Sequence, residues 1–497
     1  MLTAQDWHAK AQSLSFRTKA IIAGQAVDAA SGETFERTSP VDGRVLAHVA
    51  AGDEEDIDRA VKAARAAFDG GAWSRAAPQT RKKILQRFAA LIADHAEELA
   101  LLETLDMGKP ISVASRLDIP ATVQCIGWFG EALDKIYDEI APAPDNVLAL
   151  VTHEPMGVVG AVVPWNYPLL MAAWKFAPAL AAGNSVVLKP AEQSPFSALR
   201  VAELALEAGL PDGVFNVVPG FGETAGQALG RHMDVDLVTF TGSTAVGKLF
   251  LRYAGESNMK AVSLECGGKS PNIVFADAGD LDYTAEQSAR AIFFNSGQVC
   301  TASSRLLVED KIHDVFLDKV KTLAETWAPG DPLDPATKMG SVVDAVQMRR
   351  VLGYVDIGQN DGAKLATGGR QVRQNSGGYY VEPTVFEGVS NTMTIAREEI
   401  FGPVLAALPF KDAEDAIRIA NDTIYGLQAA LWTRDIDKAL RTAKSLRAGT
   451  VLVNNTDGGG EVTMPFGGYK QSGIGRDNSL HALRKYTELK STVIQTR

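Results

Sequence analysis

The chain has few cysteines and histidines. Its 497 residues include three cysteines and seven histidines. So sparse and odd a set of cysteines excludes a disulfide framework and indicates a reducing, cytoplasmic compartment. The histidines are scattered without metal-ligand spacing, so we predict no metal site. A cysteine that matters to function is therefore expected to act as a free thiol.

Positive charge is also scarce, and no uninterrupted apolar run is present. Lys and Arg number 49 against 60 Asp and Glu, a net charge of −11. This balance disfavours nucleic-acid partners. The most apolar stretch, residues 158–182, contains Pro164, Pro168, Pro178 and Lys175, so we expect no membrane span. The first residues lack a basic segment followed by an apolar run, and no secretory signal is expected.

Short β-rich runs alternate with helical patterns from residue 150 onward. A first set of predicted strands covers 157–163, 185–188, 214–218 and 237–240, and a second covers 261–264, 272–275, 305–308, 404–410 and 450–454. Helices are predicted upstream at 54–68, 79–106 and 119–140. The alternation predicts an α/β fold of two doubly wound parallel sheets. Ligands favour the cleft between two such units.

Two segments place reactive side chains at the ends of predicted elements. Cys300 follows an apolar helix and a turn at Gly297, and Glu265 stands between an apolar run and a Gly-Gly turn. A free cysteine is commonly a small buried hydrophobe, but a reachable thiol can be a nucleophile. The glutamate could form an ion pair with Lys269 or act as a general base. The residues alone leave both pairs of alternatives open.

Further motifs accompany these two segments. They are Pro164-Trp165-Asn166-Tyr167-Pro168, Leu188-Lys189-Pro190-Ala191-Glu192, Phe240-Thr241-Gly242-Ser243-Thr244, Glu398-Glu399-Ile400-Phe401-Gly402-Pro403 and Pro465-Phe466-Gly467-Gly468-Tyr469-Lys470. Together they resemble the NAD(P)-dependent aldehyde dehydrogenase superfamily from about residue 20 to the C-terminus. The resemblance implies an NAD-binding domain (1–132 and 156–267), a catalytic domain (268–465) and an oligomerisation element (133–155 and 466–497).

The resemblance also implies the catalytic roles. Cys300 would attack the aldehyde carbon, and hydride transfer to the nicotinamide would leave a thioester. The Asn166 amide and the Cys300 backbone N–H would stabilise the oxyanion. Glu265 would activate the hydrolytic water, and Lys175 would tune the charge around both groups. The alternative for Asn166 is a structural residue of the turn before Pro168. The alternative for Lys175 is a helix residue whose charge lies at the surface.

The expected cofactor is NAD. The stretch from Gly242 and Ser243 to Gly247 follows a predicted strand and opens a helix, where free N–H groups favour a phosphate. A carboxylate at Glu192 repels a 2′-phosphate and so favours NAD over NADP. The resemblance assigns the remaining contacts to Lys189 with Glu192 at the adenosine ribose, Glu399 and Gln347 at the nicotinamide ribose, and Trp165 and Phe401 beside that region.

The substrate is harder to predict. The pattern looks closest to bacterial dehydrogenases of ω-aminoaldehydes, including γ-glutamyl-γ-aminobutyraldehyde. A cationic substrate needs carboxylates at the tunnel mouth or an aromatic face. The candidates are Glu103, Asp106, Asp457 and Glu461, with Tyr167 and Trp174 as walls. These acids could equally be ordinary solvated charges.

Other functions stay open. They are a broad-specificity, alkyl or betaine aldehyde dehydrogenase, a CoA-acylating enzyme, and a non-catalytic binding protein on the same scaffold. The resemblance implies a homotetramer or homodimer. The strand predicted near residues 487–494 has no obvious partner in its own domain, so we expect it to pair with another subunit.

Overall fold

The computed structural model describes residues 2–458 and 460–497. Its α-helices, in chain order, are α1 (Ala4–Ser13), α2 (Glu54–Gly70), α3 (Pro78–Asp94), α4 (Ala96–Met107), α5 (Ile111–Val113), α6 (Ile119–Ala132), α7 (Pro168–Ala182), α8 (Phe196–Ala208), α9 (Gln227–Arg231), α10 (Thr244–Glu256), α11 (Leu281–Phe293), α12 (His313–Glu325), α13 (Ala345–Asn360), α14 (Thr394–Arg397), α15 (Ala413–Asn421), α16 (Ile436–Ser445) and α17 (Ser479–Arg484).

The first sheet has eight strands among the described residues. They are β1 (Ala20–Ile22), β2 (Gln25–Val27), β7 (Val158–Val162), β8 (Ser185–Lys189), β9 (Phe215–Val217), β10 (Leu237–Thr241), β11 (Ala261–Glu265) and β21 (Gly473–Ile474). Their spatial order is β2-β1-β9-β8-β7-β10-β11-β21. Strands β7 to β11 are parallel. The buried runs of valine, alanine and leucine in β7 and β8 are typical of parallel strands covered on both faces.

The second sheet has seven strands in the described chain. They are β12 (Pro271–Val274), β13 (Arg305–Glu309), β14 (Lys364–Thr367), β17 (Thr384–Glu387), β18 (Val404–Phe410), β19 (Gln428–Trp432) and β20 (Thr450–Val453). Their order is β14-β17-β18-β13-β12-β19-β20, and all pairs except β14 with β17 are parallel. Two α/β units are therefore present, and the predicted fold class is confirmed.

A small three-stranded sheet stands apart from these units. It contains β5 (Glu139–Ala141), β6 (Val147–Pro155) and β22 (Thr487–Gln495). Two ribbons, β3 (Thr34–Thr38) with β4 (Val45–Ala50) and β15 (Gln371–Val372) with β16 (Tyr380–Val381), complete the strands. The C-terminal strand does have a partner in its own chain, because β22 pairs with β6 from Thr487↔Pro155 to Gln495↔Val147. The expectation that it lacked one is wrong.

Two other expectations need correction. The helix predicted over 119–140 ends at Ala132, and residues 139–141 form β5. Its apolar pattern continues, but Tyr137 and Ile140 are 80% and 73% exposed, so this chain offers no core for them to pack on. The run at 261–264 belongs to the first sheet, since α10 returns the chain to a strand parallel to β10. Within the predicted oligomerisation segment 466–497, β21 pairs with β11 of the first sheet, and the domain boundaries stay a prediction.

The main core lies where α7 crosses the first sheet. This helix packs against β7 and β8 on one side and against α3, α6 and α8 on the other. Nearly all of its residues are buried, including Lys175. The helix is therefore a rigid element between the sheet and the outer helices. No helix among the described residues combines the length and apolarity needed to cross a membrane.

Candidate active site

A cleft opens at the carboxyl ends of β7 and β10. The chain passes from β7 to β8 on one side and later forms β10 on the other, so the strand order reverses here. Ligands of doubly wound sheets bind at such a reversal. The cleft has a volume of about 210 Å³. The first unit lines it with Trp165, Asn166 and Glu265, and the second with Cys300 and Glu399.

Cys300 lies on a turn of unusual backbone geometry. Helix α11 ends at Phe293, and the next residues Asn295, Ser296 and Gly297 have φ of 51°, 56° and 71°. The first two are not glycine, so the conformation carries strain that the surroundings must hold. A β-carbon at position 297 would stand 2.1 Å from the Gly402 carbonyl oxygen. Only glycine therefore lets this turn approach the loop that contains Glu399.

Asparagine and glutamine amides hold the turn. Asn166 Nδ2 donates to the Gln298 carbonyl oxygen at 2.9 Å, and Asn295 Nδ2 donates to the Asn166 carbonyl oxygen at 3.2 Å. The Gln298 side chain accepts from the Val343 N–H at 2.9 Å. One amide hydrogen of Asn166 is thus engaged beside Cys300, and the other can serve an oxyanion. Asn295 and Gln298 were missed by sequence reasoning, although both belong to the cysteine segment.

The surroundings of the half-buried Cys300 thiol disfavour its thiolate form. Burial raises its pKa to about 12, and the charges of Glu399 and Glu265 act in the same direction. Glu265 and Cys300 line the same cleft, so the carboxylate and the thiol share one site. A cationic group brought into the cleft would oppose the effect of the two carboxylates and favour the thiolate.

Glu265 is a buried carboxyl group without a hydrogen-bond partner among the described residues. It is 3% exposed, and neither side-chain oxygen is bonded. Its pKa is raised well above the usual range, chiefly by burial and then by the charge of Asp477. Position 467 bears no β-carbon, and one placed there would stand 2.8 Å from Glu265 Oε1. The fold therefore leaves space around a carboxyl group whose oxygens accept no hydrogen bond from the described residues.

Lys175 lies in an ion-pair cluster behind this carboxyl group. Its Nζ pairs with Asp477, which also pairs with Lys485. Lys175 and Asp477 are fully buried, and the positive charge of Lys175 lowers the pKa of Glu265. The alternative of a lysine with its charge at the surface is excluded. Asp477 was missed because it lies in a loop far along the chain from the other motifs.

The start of α10 offers a phosphate site. Ser243 is the N-cap, and its Oγ accepts from the Val246 N–H at 3.3 Å. The first N–H groups of a helix have no partner within it and favour an anion. Gly247 is buried, and a β-carbon there would stand 2.9 Å from Cys266 Sγ, while its contact with the cofactor stays a prediction. The glycine allows α10 to pack closely on β11.

The expected adenosine-ribose pair is preformed at the end of β8. Lys189 Nζ lies 3.1 Å from Glu192 Oε2, with the lysine buried and the glutamate half-buried. Burial lowers the pKa of Lys189. Helix-start N–H groups, a hydroxyl group and this ion pair together form a donor and acceptor set that fits a dinucleotide.

The opposite wall of the cleft contains Glu399 and Phe401. Glu399 Oε1 accepts from the Gly268 N–H at 3.0 Å, and burial raises the pKa of Glu399 to about 7. The rings of Phe401 and Trp165 meet edge to face with centroids 5.2 Å apart. Gln347 Nε2 donates to the Ile400 and Phe401 carbonyl oxygens, at 3.2 and 2.7 Å. It therefore positions this loop, and a contact with the ribose stays a prediction.

Two predicted substrate carboxylates lie elsewhere. Glu103 and Asp106 are fully buried on α4. Glu103 Oε1 accepts from the Leu169 N–H at 2.8 Å, which caps α7, and Asp106 pairs with Arg37 at 3.1 Å. The expectation that they stand at a tunnel mouth is wrong. In the sequence, Glu103 and Asp106 stand among apolar residues of α4. That pattern does not reveal that Glu103 points to the start of α7 and Asp106 to Arg37.

Tyr167 rests on a buried ion pair. Lys109 Nζ lies 3.8 Å from the centroid of the Tyr167 ring and pairs with Asp118. Burial raises the pKa of Tyr167, and the charges of Asp118, Cys300 and Asp457 add to this. Trp174 is also buried, with its ring centroid 4.9 Å from that of Phe466.

Asp457 lies at the surface beside α11. Its Oδ2 is 2.8 Å from Arg290 Nη2, a partner that sequence reasoning missed. The residues described by the structure contain no group of three or more His, Cys, Asp or Glu side chains able to hold a metal ion.

Comparisons with known proteins agree with this geometry. The aldehyde dehydrogenase family model matches residues 26–492. The chain is 52% identical over 486 residues to the NADP/NAD-dependent aldehyde dehydrogenase PuuC of Escherichia coli K12, covering 98% of this chain and 97% of that one. An indole-3-acetaldehyde dehydrogenase solved with NAD⁺ superposes with a TM-score of 0.98 at 61% identity over 100% of both chains. A γ-glutamyl-γ-aminobutyraldehyde dehydrogenase from Burkholderia cenocepacia does so with a TM-score of 0.98 at 57% identity, again over 100% of both.

The chain belongs to the aldehyde dehydrogenase family. It is an enzyme whose cofactor is a nicotinamide dinucleotide, and the predicted resemblance is confirmed.

Proposed function

We propose that the enzyme oxidises an ω-aminoaldehyde, free or γ-glutamylated, to its carboxylic acid through a thioester on Cys300. One observation supports the mechanism: Glu265 is buried without a hydrogen-bond partner among the described residues and lines the same cleft as the half-buried Cys300, whereas Cys125 and Cys266 are fully buried. A nucleophile beside a carboxyl group that can take a proton is the arrangement that acyl transfer to water requires.

Each step has a residue to perform it. Cys300 loses its proton to solvent or to Glu265, and its sulfur bonds to the aldehyde carbon. The Asn166 amide and the Cys300 N–H stabilise the oxyanion. The bound nicotinamide supplies the acceptor for the hydride that this carbon loses. Glu265 then takes a proton from water, water attacks the thioester carbon, and the Cys300 sulfur leaves as the thiolate.

The charges around Glu265 suit its role as a general base. Burial and Asp477 raise its pKa, while Lys175 and Lys485 lower it. A general base needs a pKa near the working pH, and opposed effects of this kind can supply it. The same base favours water over CoA as the acyl acceptor. We therefore place the CoA-acylating alternative second to hydrolysis.

NAD is the proposed physiological cofactor over NADP. The Glu192 carboxylate stands beside Lys189 at the end of β8, where it can accept from a ribose 2′-hydroxyl group. A 2′-phosphate in the same place would be repelled by the negative charge of Glu192. Paired kcat/KM measurements with the two cofactors test this preference, and a value for NADP equal to that for NAD would contradict it.

A second substrate class has its own support. Tyr167, Trp174 and Phe466 supply aromatic surface, and an indole-3-acetaldehyde dehydrogenase is 61% identical. Aromatic walls suit a neutral arylacetaldehyde as well as a cation. Aldehydes of matched length with cationic, glutamylated and neutral ends distinguish the classes by kcat/KM.

The deciding experiment follows NADH absorbance with wild type and Cys300→Ala. We expect the alanine variant to lose NADH production with every aldehyde, because its side chain cannot form the thioester. Cys125→Ala is the matched control, since that thiol is buried in the core and its pKa is raised by burial. Retained turnover in Cys300→Ala would contradict the proposal, and absence of activity in the wild type would favour a binding protein.

We also propose that the chain forms a homodimer or homotetramer through its small sheet. Leu489 and Val493 on β22 are 65% and 68% exposed, and Ile140 on β5 is exposed as well. Exposed apolar residues on one small sheet mark an association surface. Light scattering on the purified protein tests this, and a monomer at micromolar concentration would contradict it.

A further inference from the structure

Asn295 is a buried amide in the turn before Cys300, and the mechanism above assigns it no role. Its side chain is 1% exposed, and its backbone is left-handed, with φ of 51°. Asparagine tolerates this conformation better than most residues, but glycine adopts it without strain. A turn that needed only this shape would be better served by glycine. The asparagine is therefore to be explained by what its amide contacts.

The two ends of this amide have different surroundings. Nδ2 donates to the Asn166 and Gln298 carbonyl oxygens, both at 3.2 Å. The opposite orientation of the amide would set Oδ1 against these two carbonyl oxygens, so the assignment of the nitrogen is fixed. Oδ1 is buried and accepts no hydrogen bond from the described residues, which costs stability. The amide is therefore a poor source of folding stability, and its effect lies in the direction that Nδ2 imposes on its partners.

The Gln298 carbonyl oxygen is the point where Asn295 and Asn166 meet. It accepts from Asn166 Nδ2 at 2.9 Å as well as from Asn295 Nδ2 at 3.2 Å. An asparagine amide has two hydrogens in one plane, so the bond that holds the first also constrains the direction of the second. Asn166 and Cys300 line the same cleft, and the second hydrogen is the one available to an oxyanion there.

These contacts close a ring of three amides. Asn295 holds the Asn166 main chain through its carbonyl oxygen and the Asn166 side chain through the shared Gln298 oxygen. The Gln298 side chain returns to the turn, because its Nε2 donates to the Asn295 carbonyl oxygen at 3.2 Å and its Oε1 accepts from the Val343 N–H at 2.9 Å. The orientation of the Asn166 amide thus depends on Asn295 at two points.

We propose that Asn295 is a positioning residue for the oxyanion site, which sets the direction of the Asn166 amide and acts on the reaction through it. The inference rests on the proposed function, in which the Asn166 amide stabilises the oxyanion. Asn166 lines the cleft, whereas Asn295 does not. We therefore expect Asn295 to make no contact with the aldehyde.

Asn295→Gly removes the amide and keeps the turn, because glycine adopts the left-handed conformation freely. With enzyme and NAD⁺ in excess over aldehyde, the single-turnover rate of NADH formation should fall about 10- to 10²-fold, as expected for a displaced oxyanion donor. In the steady state, kcat and kcat/KM should fall together, because the donor acts mainly in the transition state. A single-turnover rate equal to that of wild type would overturn the positioning role.

A double-variant cycle tests whether Asn295 acts through Asn166. If it does, adding Asn295→Gly to Asn166→Ala should change the single-turnover rate less than about threefold. Two independent roles would instead multiply the losses, which would contradict the assignment. Ser296→Gly is the matched control, because Ser296 has φ of 56° in the same turn but donates to the Gly340 and Ser341 carbonyl oxygens. Its effect should be the same factor in wild type and in Asn166→Ala.

The Cys300 thiol provides a readout that general damage to the turn would change. Alkylation by iodoacetamide needs the thiolate but no oxyanion donor, so its rate in Asn295→Gly should stay within about twofold of wild type. Mass spectrometry of the modified Cys300 measures it. A loss of alkylation rate that matches the loss of NADH formation would show a distorted turn and would overturn the role of Asn295 through Asn166.

The outcomes separate this inference from the function beneath it. A large loss in Asn166→Ala without any loss in Asn295→Gly would overturn the positioning role while the proposed function stands. Full activity in Asn166→Ala would overturn both the proposed oxyanion donor and the residue that positions it.

Discussion

Two buried acidic regions of the molecule look alike in sequence and differ in what their oxygens contact. Glu103 and Asp106 on α4 are fully buried, and so is nearly all of Glu265 at the end of β11. The α4 acids accept from backbone N–H groups or pair with an arginine, whereas Glu265 bonds to nothing among the described residues. Burial alone therefore does not mark a catalytic carboxylate. An unsatisfied carboxyl group beside a thiol does, because the fold gains no stability from it.

The largest expected effect separates the two glutamates by activity. Glu265→Gln should lower steady-state kcat about 10²–10⁴-fold, because an amide cannot take the proton from water. Glu103→Gln keeps an oxygen that can accept from the Leu169 N–H, so its kcat should stay within about threefold of wild type. NADH absorbance at saturating aldehyde measures both. Equal losses of kcat in Glu265→Gln and Glu103→Gln would contradict the distinction between a catalytic and a structural glutamate.

The comparison extends to two buried asparagines. Asn166→Ala should lower kcat about 10²–10³-fold, since one oxyanion donor is removed. Asn184 is equally buried, but its amide bonds to the backbone of residues 157, 179 and 486. Asn184→Ala should therefore lower Tm and leave kcat per folded site near wild type. A low Tm with normal kcat in Asn166→Ala would place it among the structural amides instead.

For a substitution of Asp106 we expect a large loss of stability and little change in kcat per folded site. Asp106→Ala leaves the Arg37 charge buried without its partner. Loss of one member of a buried pair costs about 3 kcal/mol or more of stability. Denaturant unfolding and kcat per folded site check this together. A fall in kcat without a fall in stability would return Asp106 to the substrate site.

The effect expected to change kcat least is a pH dependence of stability. Burial raises the pKa of Glu103 to about 8 from an ordinary value of 4.5. The folded state therefore holds a proton that the unfolded chain releases. This contribution to stability is complete below about pH 4.5 and is lost as the pH rises to about 8.

Glu103→Gln should remove that dependence. Between pH 5 and 8, wild type should lose stability relative to the variant by about 1 kcal/mol per pH unit. Urea unfolding across this range measures the difference. Parallel curves for the two proteins would show that Glu103 is ionised in the fold.

Local features such as turns, strands and helix starts were predicted from the sequence. Features that depend on packing between distant segments were not. The turn before Cys300, the strand before Glu265 and the N-cap Ser243 each stand in a short motif whose residue types determine the geometry. The helix predicted over 54–68 is observed as α2, Glu54–Gly70, because its buried residues recur at helical spacing.

The failures share a physical cause. Whether 133–140 continues a helix depends on a core that this segment does not reach. The sheet that β11 joins depends on where α10 returns the chain. The inward direction of Glu103 depends on the start of α7, and the partner of Asp457 depends on α11. None of these neighbours is visible in the periodicity of the segment concerned.

The most direct test of the account is the first turnover of Glu265→Gln. Rapid mixing of the variant, NAD⁺ and aldehyde should give a burst of NADH near one equivalent per active site, followed by slow steady-state production. The burst reports a thioester formed on Cys300, and the slow phase reports hydrolysis that lacks its base. A variant that makes NADH without a burst and at the wild-type steady rate would contradict the role of Glu265.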